Sequence, residues 1–580
     1  MEFAKLAPTL AAAYGRYRED DIPALRRQSA TLGWVSVDEP AKPTRAVVNL
    51  VCTPGAVLDD LKHEGLDING GGDRVRTAIV PFDALEALSE HEGIERISSA
   101  HLLRPYLDAA RSTVGLDTFQ HNSRLTGKGV LIGSVDSGID TKHPAFQGRI
   151  ERVWDQTLRG NGVPEGHFGQ ELTGAQLAQS GDEEGHGTHV SGICAGADQV
   201  FQGLAPDARI VMVKTNFLDG SIIAGIQYIF RIGKEMGLPT VVNLSLGGHH
   251  DSHDGKDALS LAIDEETGPG RIVCCAAGNE GTDDIHAHVD VNGTAVRSVP
   301  CIPDAKGQDQ DFMLNGWYST DSDFEIAIAS PSGHATDFQE VRALTENPTV
   351  AHRLPEGLVE LSTQPATPLN KDRNFFVVVQ PGPSVGSRML STWQLLIRGA
   401  TASDRGPADV WILDQSGRAH FNGPMTSSDM KIGSPGCASS AVTVAAFATK
   451  TSWEDIDKES FSAPWLRLAD IADFSSDGPL RDGGQKPDVT APGALIASSL
   501  SRDSAPDRPF TLDTEHVLMQ GTSMASPFMA GVCALLLQRD GTLGPAQVKA
   551  LLKSHSAIPH RQGAGFDPKW GFGLIDAAGL

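Results

Sequence analysis

Three segments of this 580-residue chain carry side chains suited to breaking a bond. VLIGSVDSGID contains Asp136, GHGTHVSGICAG contains His186, and GTSMASPFMAGVCALLL contains Ser523. A serine hydroxyl is a weak nucleophile at neutral pH and needs a neighbouring imidazole to take its proton. The imidazole needs a buried carboxylate to fix its tautomer and to stabilise the imidazolium that forms. A helix starting at Ser523 adds backbone N–H groups and a positive dipole end where negative charge develops. A fourth segment, CCAAGNEG, sets Asn279 in a glycine-flanked loop, where its amide suits the oxyanion of a tetrahedral intermediate.

Each residue has a plainer reading. Asp136 alone is a capping aspartate, His186 a satisfied core histidine, Ser523 an N-cap and Asn279 a turn residue. Their joint occurrence in long ordered motifs favours the site. His249, His250 and His253 in HHDSHDG match no standard metal-ligand spacing, so the loop reads as a solvated acidic turn; no metal and no cofactor are expected.

The elements that must position these residues are legible as texture. GVLIGSV, RIVMVKT, TVVNLSL and RIVCCAA are near-continuous apolar runs, the mark of parallel strands buried on both faces. Helical segments such as IIAGIQYIFRIGKEMG separate them, which predicts an α/β fold with a parallel sheet covered by helices. Sites in such sheets form at the carboxyl ends of strands and at helix N-termini, where all three residues fall. From about Thr282 to about Ser434 short strands closed by Gly, Pro, Ser or Asp turns predict an inserted antiparallel β-sandwich, jelly-roll-like. Ahead of the sheet, AVVNLVC, RVRTAIV, FDALEALSEHEG and IERISSA predict a small α+β unit. The expected domains are 1–106 (core about 46–106), 107–281, 282–435 and 436–580, the second and fourth forming one α/β domain.

Lys and Arg number 48 against 73 Asp and Glu, a net charge of −25. So acidic a surface repels phosphate backbones and anionic lipid, which sets nucleic-acid and membrane-surface functions aside. No run approaches the ~18–20 apolar residues of a membrane span. The opening MEFAKLAPTLAAAYGRYRED lacks a secretory apolar core, so a cytoplasmic location is expected, with export by another route left open. Seven cysteines, odd in number and without CxxC, read as reduced buried thiols.

The order Asp136, His186, Ser523 with these flanks resembles the subtilisin-like serine proteases, the subtilases of peptidase family S8. VVNLSLGG, FSSDGP, KPDVTAPG and WGFGLIDAAG extend the resemblance over about Leu116–Gly281 and Gly436–Leu580. It implies a serine endopeptidase acting on protein or peptide substrates. Its pocket, lined by Ser245, Leu246, Gly247, Gly248, Ala276, Ala277 and Gly278, would take an apolar or aromatic P1 side chain. Activity would rise with pH through the titration of His186, between about pH 6 and 8. RIERVWDQT, FGQELTGAQL and the insertion after AAGNEG resemble the clostridial spore-germination proteases, which carry a jelly roll at that point.

By the same resemblance the N-terminal unit is a propeptide, an intramolecular inhibitor removed by self-cleavage between Tyr106 and Leu107, with Arg104 and His101 as rival positions. The family's calcium loop is not carried over, because GADQVFQG offers only Asp198 as a carboxylate. LDGSIIAG looks short for the family's substrate-pairing edge strand. Two alternatives stay open: a propeptide-inhibited scaffold or pseudoprotease, and a cytoplasmic protease released only by an activating protein partner.

Overall fold

The computed structural model describes residues 2–19, 34–35, 45–58, 61, 66–68, 74–99, 104–105, 112–198, 200–303, 311–343, 345–382, 392–413, 419–561, 563 and 565–580. The apolar runs become neighbouring parallel strands. These are β1 (Leu131–Asp136), β2 (Ile150–Asp155), β3 (Arg209–Lys214), β4 (Thr240–Leu244), β5 (Arg271–Ala276), β6 (Val442–Ala448) and β7 (Val489–Ala494). Their order across the sheet is β7-β6-β5-β4-β1-β3-β2, every pair parallel. Short strands lengthen both edges: Gln170–Leu172 lies antiparallel to β2, and Leu574–Ile575 lies beside β7.

Helices on both faces explain why the strands are apolar throughout; all six residues of β1 are buried. Ile132 belongs to the core shared with α1 (His186–Ala195) and α3 (Thr522–Arg539). Its neighbour Gly133 points the other way, into α2 (Asp219–Met236), where a Cβ would lie 2.3 Å from Ile229 Cγ2. The sequence order reverses between β4 and β1, so the crevice at the carboxyl ends opens there. LDGSIIAG forms the first turns of α2. All seven cysteines are free and buried, and Cys274 Sγ and Cys533 Sγ stay 3.8 Å apart.

This α/β unit comprises Asn69–Gly72, Leu103–Thr282 and Met430–Leu580. A second unit comprises Met1–Ile68, Asp73–Leu102 and Asp283–Asp429, so the N-terminal residues and the insertion fold together. Its N-terminal part is an antiparallel sheet around Arg45–Cys52 and Val75–Pro81, with helix Pro8–Arg18 sharing its core. Its inserted part is two antiparallel sheets, seven- and four-stranded, enclosing one apolar core. Strand Trp393–Gly399 alternates buried and half-buried residues, as a sandwich strand must. Polar contacts join the two parts. Arg16 Nε donates to Glu360 Oε1 at 2.6 Å, and Gln364 accepts from Arg96 and donates to the Leu6 carbonyl. The sequence reading had kept them as separate domains.

Candidate active site

Adjacent strands β5, β4 and β1 each end in a residue of interest. Asp136 is the last residue of β1, Ser245 follows β4, and Asn279 lies in the loop leaving β5. Two helices start here: α1 begins at His186, and Ser523 is the second residue of α3.

Asp136 is fully buried, and its Oδ1 lies 2.6 Å from His186 Nδ1. A carboxylate there requires Nδ1 to carry the proton, which leaves Nε2 with the basic lone pair. A hydrogen-bonded staple holds the two residues in register. Asp182, absent from the sequence reading, accepts from Ser137 Oγ at 2.8 Å, from Gly185 N at 2.9 Å and from Thr188 N at 2.8 Å. Ser137 Oγ in turn accepts the Gly187 N–H at 2.9 Å. The loop after β1 is thereby tied to the first turn of α1. The approach is so close that a Cβ on Gly187 would sit 2.2 Å from the Gly138 carbonyl oxygen. Burial raises the Asp182 carboxyl, and it raises Glu184 with help from the Asp136 charge. Burial pushes His189, one turn on from His186, down to about 3, and its Nε2 faces the carbonyls of Ile496 and Val517.

Pro527 decides how α3 presents Ser523. A proline inside a helix cannot donate to the carbonyl four residues back, here that of Ser523. The Ser245 hydroxyl fills the vacancy, donating to Ser523 O at 2.6 Å. Asn243 Nδ2 donates to Ser245 Oγ at 2.9 Å, and Ser526 Oγ donates to Asn243 Oδ1 at 2.7 Å. These bonds lock the start of α3 to the end of β4. The Ser523 hydroxyl itself donates to the Ser245 carbonyl at 3.2 Å. Neither Asn243 nor Ser526 was singled out in the sequence, because each looks like a lone polar residue in an apolar run.

Asn279 is oriented from α3. Its Oδ1 accepts the Thr522 N–H at 2.9 Å, so the amide nitrogen is the side available to a bound carbonyl. Gly278 before it has φ +111°, and a Cβ there would lie 2.6 Å from both Glu280 Oε2 and Ser476 Oγ.

The expected substrate-contacting residues are all buried: Ser245, Leu246, Gly247, Gly248, Ala276, Ala277 and Gly278. Leu246 and Gly247 pair antiparallel with Pro105 and Arg104, and Gly248 bridges to Ser434. Tyr106, Leu107 and His101 lie outside the described residues. Asp198 caps its own turn, accepting from Val200 N and Phe201 N, with His516 Nε2 3.3 Å from its Oδ2.

The solvated reading of HHDSHDG is corrected. His249, Asp251, Ser252, His253 and Asp254 are buried, because their charges find partners in the fold. Arg481 Nη2 pairs with Asp254 Oδ2 at 3.1 Å, and Asp251 Oδ2 accepts the His253 N–H at 2.9 Å. Among the described residues no group of His, Cys, Asp and Glu is arranged to hold a metal ion. No helix among them is long and apolar enough to cross a membrane.

Comparison with known proteins agrees with this arrangement. The PI-type proteinase of Lactococcus lactis subsp. cremoris is 24% identical over 89% of this chain and 28% of its own. The minor extracellular protease Vpr of Bacillus subtilis is 27% identical over 76% of this chain and 51% of its own. The chain thus spans about a quarter to a half of the length of these relatives. A solved Clostridium perfringens structure, the CspB protease, superposes with a TM-score of 0.65 at 22% identity. It covers 80% of this chain and 96% of that one, a likeness of fold. The model of the subtilase family matches residues 127–306 and 417–573, more than half of the sequence and all four of Asp136, His186, Asn279 and Ser523, so the chain belongs to the subtilase family.

Proposed function

We propose that the protein is a serine endopeptidase acting by acyl transfer. The observation that carries this reading is the 2.6 Å bond between Asp136, at the end of β1, and His186, at the start of α1, with the Ser523 hydroxyl held at the end of neighbouring β4. In the proposed reaction the Ser523 hydroxyl leaves the Ser245 carbonyl and attacks the scissile carbonyl carbon, and His186 Nε2 takes its proton. Asn279 Nδ2 and the Ser523 N–H stabilise the oxyanion. The C–N bond then breaks as His186 returns the proton to the departing amine. Water, deprotonated by His186, attacks the acyl-enzyme and releases Ser523. The apolar walls from Leu246, Ala276 and Ala277 suit an apolar or aromatic P1 side chain, and the steps use no cofactor.

The reading extends to self-processing of an N-terminal propeptide. It is supported by the Arg104–Pro105 pairing with Gly247–Leu246, which is how an extended peptide adds to an exposed strand. The pairing sets Pro105 opposite Leu246, the residue after Ser245. Tyr106 and Leu107 follow Pro105 in the sequence, whereas His101 precedes the paired residues and Arg104 is one of them, which supports the Tyr106–Leu107 bond over both rivals. RIERVWDQT and the insertion after AAGNEG support a place near the spore-germination proteases, with the inserted sheets as a jelly roll. The name of the Bacillus relative, an extracellular protease, pulls against the cytoplasmic expectation; cell fractionation tests it. The pseudoprotease and partner-released alternatives are tested together with the main reading.

The test is intact mass of wild type beside Ser523→Ala, each with and without a fluorophosphonate. The expected result is two wild-type fragments meeting near residue 106, one of them labelled, and a whole, unlabelled variant. A wild type that stays whole and unlabelled would overturn the peptidase reading in favour of a scaffold. A whole wild type that takes label would leave the peptidase and remove the self-processing.

A further inference from the structure

The buried HHDSHDG loop contains a device the proposed reaction has not used. His249 Nδ1 and His253 Nε2 are 2.9 Å apart, with ring planes within 5° and centroids 5.2 Å apart. That is the geometry of two coplanar imidazoles joined by an in-line N–H···N bond, which a single shared proton makes. The outer nitrogens face acids. His249 Nε2 lies 3.7 Å from Glu280 Oε2, and His253 Nδ1 lies 3.7 Å from Asp251 Oδ1.

Glu280 links this pair to the reacting centre. The same Oε2 accepts the Asn279 backbone N–H at 2.8 Å and the Ser476 hydroxyl at 2.9 Å. Ser476 Oγ also accepts the Glu280 N–H at 3.0 Å, and Lys431 Nζ holds the Glu280 and Gly281 carbonyls at 3.1 and 3.0 Å. Asn279 is therefore gripped twice: its side chain by Thr522 and its backbone by Glu280.

We propose that Glu280 and the His249–His253 pair are positioning residues for the peptidase reaction, holding the Asn279 oxyanion donor through its backbone N–H. His249 Nε2 faces the Glu280 oxygen that accepts the Asn279 N–H, and His253 fixes the His249 ring through the bond between the two imidazoles. Burial raises the Asp251 carboxyl that faces His253, with the Asp257 charge adding to it, and Arg481 is matched to Asp254. This inference rests on Asn279 being the oxyanion donor.

The test is kcat and KM of the processed enzyme. Glu280→Ala should lower kcat about tenfold with KM little changed, less than the 10²–10³ of deleting a donor outright. Glu280→Gln keeps an acceptor for the Asn279 N–H, so it should recover most of that loss. A Glu280→Ala variant with wild-type kcat, or a Glu280→Gln variant no better than Glu280→Ala, would overturn the proposal. The imidazole ¹⁵N signals of full-length Ser523→Ala decide the pair without activity. His249 Nδ1 and His253 Nε2 should show a ¹⁵N–¹⁵N coupling across their hydrogen bond and respond to Glu280→Gln. Rings without that coupling, unmoved by that change, would overturn it. Failure of the peptidase reading is distinct, showing as a wild type that takes no fluorophosphonate.

Discussion

Ser245 and Ser523 grip each other twice: the Ser245 hydroxyl donates to the Ser523 carbonyl, and the Ser523 hydroxyl donates to the Ser245 carbonyl. The first bond exists because Pro527 has no N–H to give. It is part of the scaffold. The second must open before Ser523 attacks a substrate, so the resting hydroxyl is parked on the strand end that also pairs with the N-terminal segment.

Ser245→Ala should leave the buried Ser523 carbonyl without its donor and cost about 1–3 kcal/mol of stability. Adding Pro527→Ala restores a helical N–H to that carbonyl and should return most of the loss. Unfolding midpoints of the two single variants and the double variant give the coupling. Additive effects would show that Pro527 does not govern the bond.

Asp136→Asn keeps the shape of the bond to His186 but presents the wrong partner for Nδ1–H. A fall in kcat of about 10⁴ is expected, the size seen for the equivalent change in a serine protease of another fold. A fall under tenfold would remove Asp136 from the role. The measurement is kcat on a peptide ester and a peptide amide.

Thr522→Val removes the hydroxyl that donates to Asn279 Oδ1 at 3.1 Å, while the Thr522 backbone N–H still holds that oxygen at 2.9 Å. The amide keeps its direction but is held by one bond instead of two, and kcat should drop by less than about tenfold with KM little changed. Asn279→Ala should cost more, about 10²–10³, the figure known for a subtilisin. Equal losses in the two variants would mean that Thr522 does more than orient the amide.

Gly187→Ala puts a methyl group 2.2 Å from the Gly138 carbonyl, where backbone and not a flexible side chain must move. Both the folded yield and the fluorophosphonate reactivity of Ser523 should collapse. A variant that folds and reacts normally would show that the Asp136 loop and α1 have slack between them.

The inserted sandwich carries its own pH dependence. Burial pushes the Asp409 carboxyl up, but bonds from His286 and His288 outweigh it and hold the group down to about 2. The bond to Asp409 raises His288. The aspartate contribution is present above its ordinary value of 3.8 and is lost as pH falls through about 2. The His288 contribution is present below 6.5 and fades as pH rises through its raised folded value. Asp409→Asn should therefore destabilise the sandwich most between about pH 4 and 6.5, by about 2 kcal/mol. Melting curves at pH 5 and pH 9 test the window; an equal loss at both would refute it.

How much of this the sequence carried depends on how far apart the partners lie. Asp136, His186, Ser523 and Asn279 were legible because each sits in its own long local motif. The parallel strands were legible because burial on both faces leaves an unbroken apolar run. Asp182 and Asn243 were not, since their roles exist only through partners brought close by folding. Asn243 and Ser526 are 283 residues apart. HHDSHDG was misread for the same reason: its acidic composition suggested solvent, while the neutralising Arg481 lies 227 residues from Asp254. The joining of the N-terminal sheet to the insertion rests on pairs such as Arg16 and Glu360, 344 residues apart, which no local pattern announces.

The sealed cysteines have a practical side. All seven are buried, and burial raises the thiols of Cys194, Cys274, Cys275, Cys301 and Cys437, the third and fourth to about 12. A thiol that cannot ionise does not react with maleimides. The native chain is thus a silent background for bioconjugation: one cysteine placed on an exposed turn would be its sole reactive handle, and a fluorophore there could test the proposed release of the N-terminal segment in real time without any native thiol being removed.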